Sequence, residues 1–295
     1  MRDISCLKCV LVSVALVTTL IAVGCSSTKK PETTGDETNI LTFSNVPEAQ
    51  KLASGENVVV AVIDWQFDID GDAAEKYVDA VSMVPGEPVG ELKPWHGEWM
   101  AELVHQIAPK AKIVPIRARS LEKKGYEEYL IKGIYYAADH GAAAVSSSMG
   151  PLKQSEELTA AIDYADERGT VFVNVHPETV VDSTGAKALC PDGVCDPRII
   201  HTGIVSVPEY PCEPESNRDL YTWAYDLDAN YKDGWGYSNA PPVVVGTIAL
   251  MKSVNPGLGP GQIREILKKT ATVKDGFAVV DALKAVEAAR ATGQE

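Results

Sequence analysis

From about residue 45 the chain alternates two hydrophobic rhythms. Runs that are apolar at nearly every position predict strands buried on both faces, and they fall at residues 58–63, 112–116, 142–147, 171–175 and 199–207. Between them lie stripes at helical spacing: Met100, Leu103, Val104 and Ile107; then Leu130, Ile131, Ile134, Tyr135 and Ala138; then Leu158, Ala161, Ile162 and Ala165. The second stripe ends near Gly141 and the third at Gly169, where a left-handed residue closes a helix. Residues 238–254 read as a central apolar helix, and 260–270 and 281–290 as two closing helices. Residues 176–198 and 208–235 carry neither rhythm and read as loops. Alternation of this kind predicts an α/β fold in three layers, a doubly wound and mostly parallel sheet with helices on both faces. Its functional site is expected at the carboxyl ends of the strands. No internal repeat interrupts the pattern.

The first 44 residues follow another logic. Arg2 and Lys8 precede an apolar stretch, residues 9–24, that is short for a membrane span and has the form of an export signal. It ends in Ile21-Ala22-Val23-Gly24-Cys25, which resembles a bacterial lipobox, with Cys25 as the lipidated new N-terminus; an ordinary secretory signal cut nearby is the alternative. Residues 25–44 are polar and read as a tether, which leaves 45–295 as the folded domain. The expected location is the bacterial cell envelope, with the protein held on the membrane through Cys25. Ser26 after the cysteine favours the outer over the inner membrane in a Gram-negative cell. About 20 residues separate Cys25 from the domain, too few for a folding prodomain.

Of the 295 residues 45% are hydrophobic, enough for one large core, and the expected state is a monomer. The net charge of −14 becomes −15 once residues 1–24, with two cations and one anion, are removed. With no basic patch to offset it, that charge excludes nucleic acid as a partner. Cys190, Cys195 and Cys212 lie in the domain, and export makes a disulfide plausible. The Pro-Asp-Gly turn between Cys190 and Cys195 can bring those two together, and Cys212 is an alternative partner for either. No histidine stands at zinc-ligand spacing from them.

Three positions place reactive groups where packing gives no reason for them. Asp64 follows five apolar residues; His96 opens a helical stripe beside Gly97; Ser238 sits in Gly236-Tyr237-Ser238, where the dipole of the following helix favours negative charge. Taken singly they read as a turn residue, a surface or capping histidine and an N-cap. Taken together they supply what acyl transfer by a hydroxyl requires: a nucleophile, a base and an acid that orients the base. The chain order Asp, His, Ser is that of subtilisin.

The likeness extends over roughly residues 45–290. The entry Gly55-Glu56-Asn57 into the first strand, the helix from His96 to Ala108-Pro109-Lys110-Ala111-Lys112, the segment Ser147-Ser148-Met149-Gly150-Pro151 and Asn255-Pro256-Gly257 with the helix after it resemble the subtilisin-like (subtilase) serine peptidases. The resemblance implies that Asp64 orients His96, that His96 is the general base and that Ser238 attacks a peptide bond to form an acyl-enzyme. It implies that Ser148, Met149 and Gly150 line the substrate's first pocket. It implies a peptide or protein substrate and no cofactor, although subtilases often bind calcium.

The segments also depart from the family. Trp65 and Gln66 follow the Asp in place of Ser or Thr and Gly; Glu98 and Trp99 stand in place of Thr and His; Tyr237 and Asn239 flank the serine in place of Thr and Met. The family's oxyanion Asn aligns with Glu178, after His176 and Pro177, and Asn174 lies four positions early. These departures set a second expectation beside the first, a catalytically impaired binding module of the cell envelope. Residues 68–72 and 226–230 space oxygen ligands as calcium loops do, without the usual Gly and terminal Glu. Trp65, Trp95, Trp99, Trp235 and Tyr237 form either an aromatic wall for substrate or a filling for the altered loops.

Overall fold

The computed structural model describes residues 39–293, apart from 71–73, 91–95, 123–124, 150–151, 176–178, 182–186, 190–194, 207–211 and 224–235. The sheet is built around β1, Val59–Asp64. On one side lie β3, Lys112–Arg117, and β2, Val81–Ser82; on the other lie β4, Ala144–Ser147, β5, Val171–Asn174, and β8, Ile200–Ile204. Beyond β8 come β9, Leu220–Thr222, β11, Phe277–Val279, and β10, Thr272–Lys274. Among the described residues this makes one nine-stranded sheet, parallel except for β10.

The apolar run of β1 serves both faces. Val60 and Val62 pack into the core formed with α3, His96–Ile107, and α6, Ala240–Val254, while Ala61 and Ile63 pack into the core under α4, Tyr126–Asp139, and α5, Glu156–Glu167. A strand covered on both sides has no polar face to show, which is why its sequence does not alternate. The chain runs from β1 outward to β2 and β3 and returns on the other side as β4, so the topological switch falls at β1. α6 is buried at every position from Ala240 to Met251. It packs against α3 and against α8, Ala282–Thr292. A Cβ on Gly246 would stand 2.7 Å from Cβ of Ile107, so the approach of α6 to α3 depends on this glycine.

Four expectations change. Packed structure is already present at Asn39, the first described residue, inside the stretch read as tether. The Asn39 side chain accepts from the N–H groups of Leu41 and Thr42 at the start of α1, Ile40–Phe43, and Ile40 is fully buried. Four residues between polar neighbours are too few to show a helical period, so the cap and the buried Ile40 decide. The stretch 208–235, read as loop, contains β9, which is only three residues long. Its structure comes from pairing with β8 and β11 and not from a rhythm of its own. The stretch 176–198 likewise contains a hairpin of β6, Thr179–Val181, and β7, Lys187–Leu189. Cys195 is disulfide-bonded, and Cys212 is a free thiol hydrogen-bonded to the Ile204 carbonyl at 3.5 Å, so Cys212 is no one's partner. Cys190 lies outside the described residues.

Gly246→Ala should lower the stability of the domain by about 1–3 kcal/mol, as overpacking a dense core does. The measurement is urea unfolding, with a lower midpoint at an unchanged slope.

Candidate active site

Parallel strands of matched register bring their ends to one edge. Asp64 pairs with Arg117 of β3, Ile63 with Ser147 of β4, and Asn174 of β5 lies opposite Ser147. Asp64 is 2% exposed, and burying a carboxylate is costly unless donors meet it. Its Oδ1 accepts from the Trp65 N–H at 2.6 Å and lies 2.8 Å from Nδ1 of His96. Oδ2 has no partner among the described residues. The His96 side chain, about a third exposed, therefore presents its other nitrogen away from the carboxylate.

Two effects oppose each other on the imidazole. Burial lowers its proton affinity, and Arg119 lowers it further; the charge of Asp64 and the hydrogen bond to it raise it, and the net pKa lies above the ordinary 6.5. A group raised in this way stabilises the fold most below pH 6.5, and that contribution is lost as the pH climbs through the folded value.

α3 is set against β1 by Gly97 together with Gln66 and Glu98, two residues that depart from the family pattern. Gly97 lies against the Gln66 carbonyl and the Phe67 ring, where a Cβ would stand 2.7 Å from either. The Glu98 N–H donates to the Gln66 carbonyl at 3.1 Å. The Glu98 carboxylate accepts from Lys76 Nζ at 2.5 Å, from the Asp68 N–H at 3.0 Å and from the Tyr77 hydroxyl. Lys76 also reaches Glu102 at 3.1 Å, and its side chain is 1% exposed. Burial, then the charge and hydrogen bond of Glu98, push the Tyr77 phenol far above its usual range, so it remains a donor. Sequence reading noted Glu98 only as a departure. The signal it missed is that an acid on the first turn of an otherwise apolar stripe needs a cation, and Lys76 lies 22 residues upstream.

Arg117 was likewise overlooked. A cation at the end of a buried strand is as anomalous as Asp64. It is fully buried, pairs with Glu87 and donates to the carbonyls of Pro88 and Arg119.

Ser238 lies in a 3-10 turn, Tyr237–Asn239, at the head of α6. The turn begins at Gly236, whose φ of 133° and ψ of −175° suit glycine alone. It packs against α3 and β8, and Ser148 Oγ donates to the Ser238 carbonyl at 2.7 Å. Asp64, His96, Ser148 and Ser238 thus come from β1, α3, the end of β4 and the head of α6 to the same edge of the sheet. Met149 is 7% exposed and belongs to the core with Leu130, Leu152 and Leu158. Asn174 stays inside β5, 1% exposed. His176, Pro177, Glu178, Gly150, Trp95, Trp235 and the acidic stretch 226–230 lie outside the described residues. Trp99 packs against the core with its ring 6.4 Å from His96, and Tyr237 lies 5.0 Å from the Arg218 guanidinium. Among the described residues no group of three or more His, Cys, Asp or Glu side chains is arranged to hold a metal ion.

Residues 55–175 match the Subtilase family. The chain is 26% identical over 267 residues to thermitase of Thermoactinomyces vulgaris, covering 82% of this chain and 92% of that protein. It is 25% identical over 237 residues to subtilisin BL of Lederbergia lenta, covering 74% and 85%. A solved protease from Pseudoalteromonas arctica superposes with a TM-score of 0.66 at 22% identity, over 83% of this chain and 94% of that one. These likenesses support a divergent relationship of this chain to the subtilases, a family of serine peptidases.

Lys76→Met leaves Glu98 buried without its cation and should cost about 3–5 kcal/mol. The check is chemical denaturation of this variant beside Lys76→Met/Glu98→Leu, which should recover part of the loss.

Proposed function

We propose that the protein is a serine endopeptidase that cleaves peptide bonds through Asp64, His96 and Ser238. The observation that carries this reading is the 2.8 Å contact between the buried Asp64 carboxylate and Nδ1 of His96. In that arrangement Asp64 holds the imidazole in the tautomer whose Nε2 accepts a proton. His96 takes the Ser238 proton as the hydroxyl attacks the substrate carbonyl. It then returns the proton to the leaving amine, which leaves an acyl-enzyme that water hydrolyses. The Ser238 N–H, at the head of a helix, is available to the oxyanion. Removing one side-chain donor from an oxyanion hole costs about 10²- to 10³-fold, a figure measured in a subtilisin. Glu178, where the family has Asn, is therefore expected to make this a slow enzyme unless it or His176 donates as a neutral acid or an imidazole.

The second reading is a catalytically impaired module that holds a peptide or protein in the same cleft. The absence of that Asn and the rewritten neighbours Trp65, Glu98, Trp99 and Tyr237 favour it.

A fluorophosphonate probe separates the two. Labelling is expected on the unaltered protein and not on Ser238→Ala; a folded protein that stays unlabelled sinks the endopeptidase reading. Because neutral His96 is the base and its pKa is raised, the labelling rate should fall as the pH drops through a value above 6.5. Asp64→Asn removes the influence that raises it, so the fall should move to lower pH and the plateau should drop by as much as ~10⁴-fold, as in other triads.

Anchoring of the mature protein through a lipid on Cys25 belongs to the same proposal and rests on Ala22-Val23-Gly24-Cys25. In a bacterial host the full chain should fractionate with membranes and incorporate labelled palmitate, and Cys25→Ser should do neither.

A further inference from the structure

Arg119 lies two residues past the end of β3, and Arg117, the last residue of that strand, is the register partner of Asp64. It therefore stands just beyond the carboxyl edge of the sheet on the side of Asp64 and His96. Most arginines of the domain meet a carboxylate: Arg117 meets Glu87, Arg198 meets Asp196, Arg218 meets Glu215 and Arg264 meets Asp166. Arg119 has no carboxylate partner among the described residues. Its guanidinium lies over the ring of Trp65, 5.4 Å from the centroid, and both residues are half-buried. The indole Nε1 of Trp65 is buried without a hydrogen-bond partner among the described residues. The charge of Arg119 acts on His96, which places it within electrostatic reach of the base.

A guanidinium carries five N–H donors in a fork that matches a carboxylate, and stacking on an aromatic ring fixes that fork without using its donors. In a chain with 41 acidic and 27 basic residues, carboxylates are the abundant partners. An arginine held at the site's edge with none of them is set to receive one from outside. This inference rests on the peptidase reading and names its substrate class. We propose that Arg119, backed by Trp65, recognises an acidic side chain of a peptide bound in the cleft. That side chain lies close to the bond presented to Ser238. Extended peptide advances about 3.3 Å per residue, so the reach of one arginine side chain restricts the acidic residue to about two positions from that bond.

The test uses a synthetic peptide library of balanced charge, incubated with the unaltered protein, with the cut sites sequenced. Asp and Glu should be enriched on the order of tenfold at one position within two residues of the cut, the worth of one good charge-assisted pair. If nothing is cut, the same library is passed over immobilised Ser238→Ala protein and the retained peptides are sequenced. Acidic enrichment there supports the role of Arg119 while the catalytic reading fails. Arg119→Gln should abolish the enrichment and Arg119→Glu should turn it toward Lys and Arg. On the unaltered protein, a rise from 0.1 M to 1 M salt, which shortens the screening length from about 10 Å to about 3 Å, should weaken it. Cut or retained peptides without acidic enrichment, a library neither cut nor retained, or enrichment that persists in Arg119→Gln would overturn the proposal.

Discussion

A buried carboxylate at the end of a strand covered on both faces is the constraint that organises this molecule. β1 offers no polar face, and Asp64 at its end is 2% exposed. Such a charge is tolerated only where donors meet it, and among the described residues these are the next residue's own N–H and the imidazole of His96. The helix that carries His96 must therefore dock with its first turn against the end of β1. Gly97 permits the approach by lacking a side chain, and the Glu98 N–H fixes it through the Gln66 carbonyl.

That docking introduces a second buried charge. Glu98 on the first turn of α3 is covered by the chain between β1 and β2, and three donors converge on it. A buried ion pair adds little net stability over apolar packing, but it penalises every arrangement in which its partners miss each other. Here the partners are Lys76, Tyr77 and the backbone of Asp68 on one side and α3 on the other. The pair specifies where the helix sits, and hence where His96 sits. Burial and the neighbouring Glu98 push the Tyr77 phenol far above its usual range, so Tyr77 stays a donor in this link.

Most of the fold was legible because long elements with a clear period determine it. The runs of β1, β3 and β5 and the stripes of α3, α4 and α5 each say which face is covered, and the closing helix read at 260–270 is found as Pro260–Thr270. Short elements were not legible. The three-residue strand β9 and the four-residue helix α1 have no period to read and exist through their neighbours. In the candidate site Asp64, His96 and Ser238 stood out because each is polar where the local rhythm asks for an apolar or indifferent residue. Glu98, Arg117 and Arg119 carried the same mark. They were passed over because their partners lie 20 to 30 residues away or, for Arg119, are an aromatic ring. A charge on a buried face announces itself in sequence, but the group that answers it does not.

The departures from the family pattern are therefore not independent. Decay of a disused site leaves charges without partners, because each substitution arrives alone and nothing selects its complement. Glu98 instead meets a lysine, a phenol and a backbone N–H, and Arg117 meets Glu87 and two carbonyls. Trp65 carries Arg119 on its ring. Glu98, Arg117 and Trp65 are thus each met by another group close to Asp64 and His96, and the 2.8 Å contact between those two stands beside them. Such complementarity is what the proposed peptide cleft would display if it had been rebuilt for a different substrate. It favours the proposal that the divergence of this chain lies in what the cleft accepts, beside a retained 2.8 Å contact between Asp64 and His96.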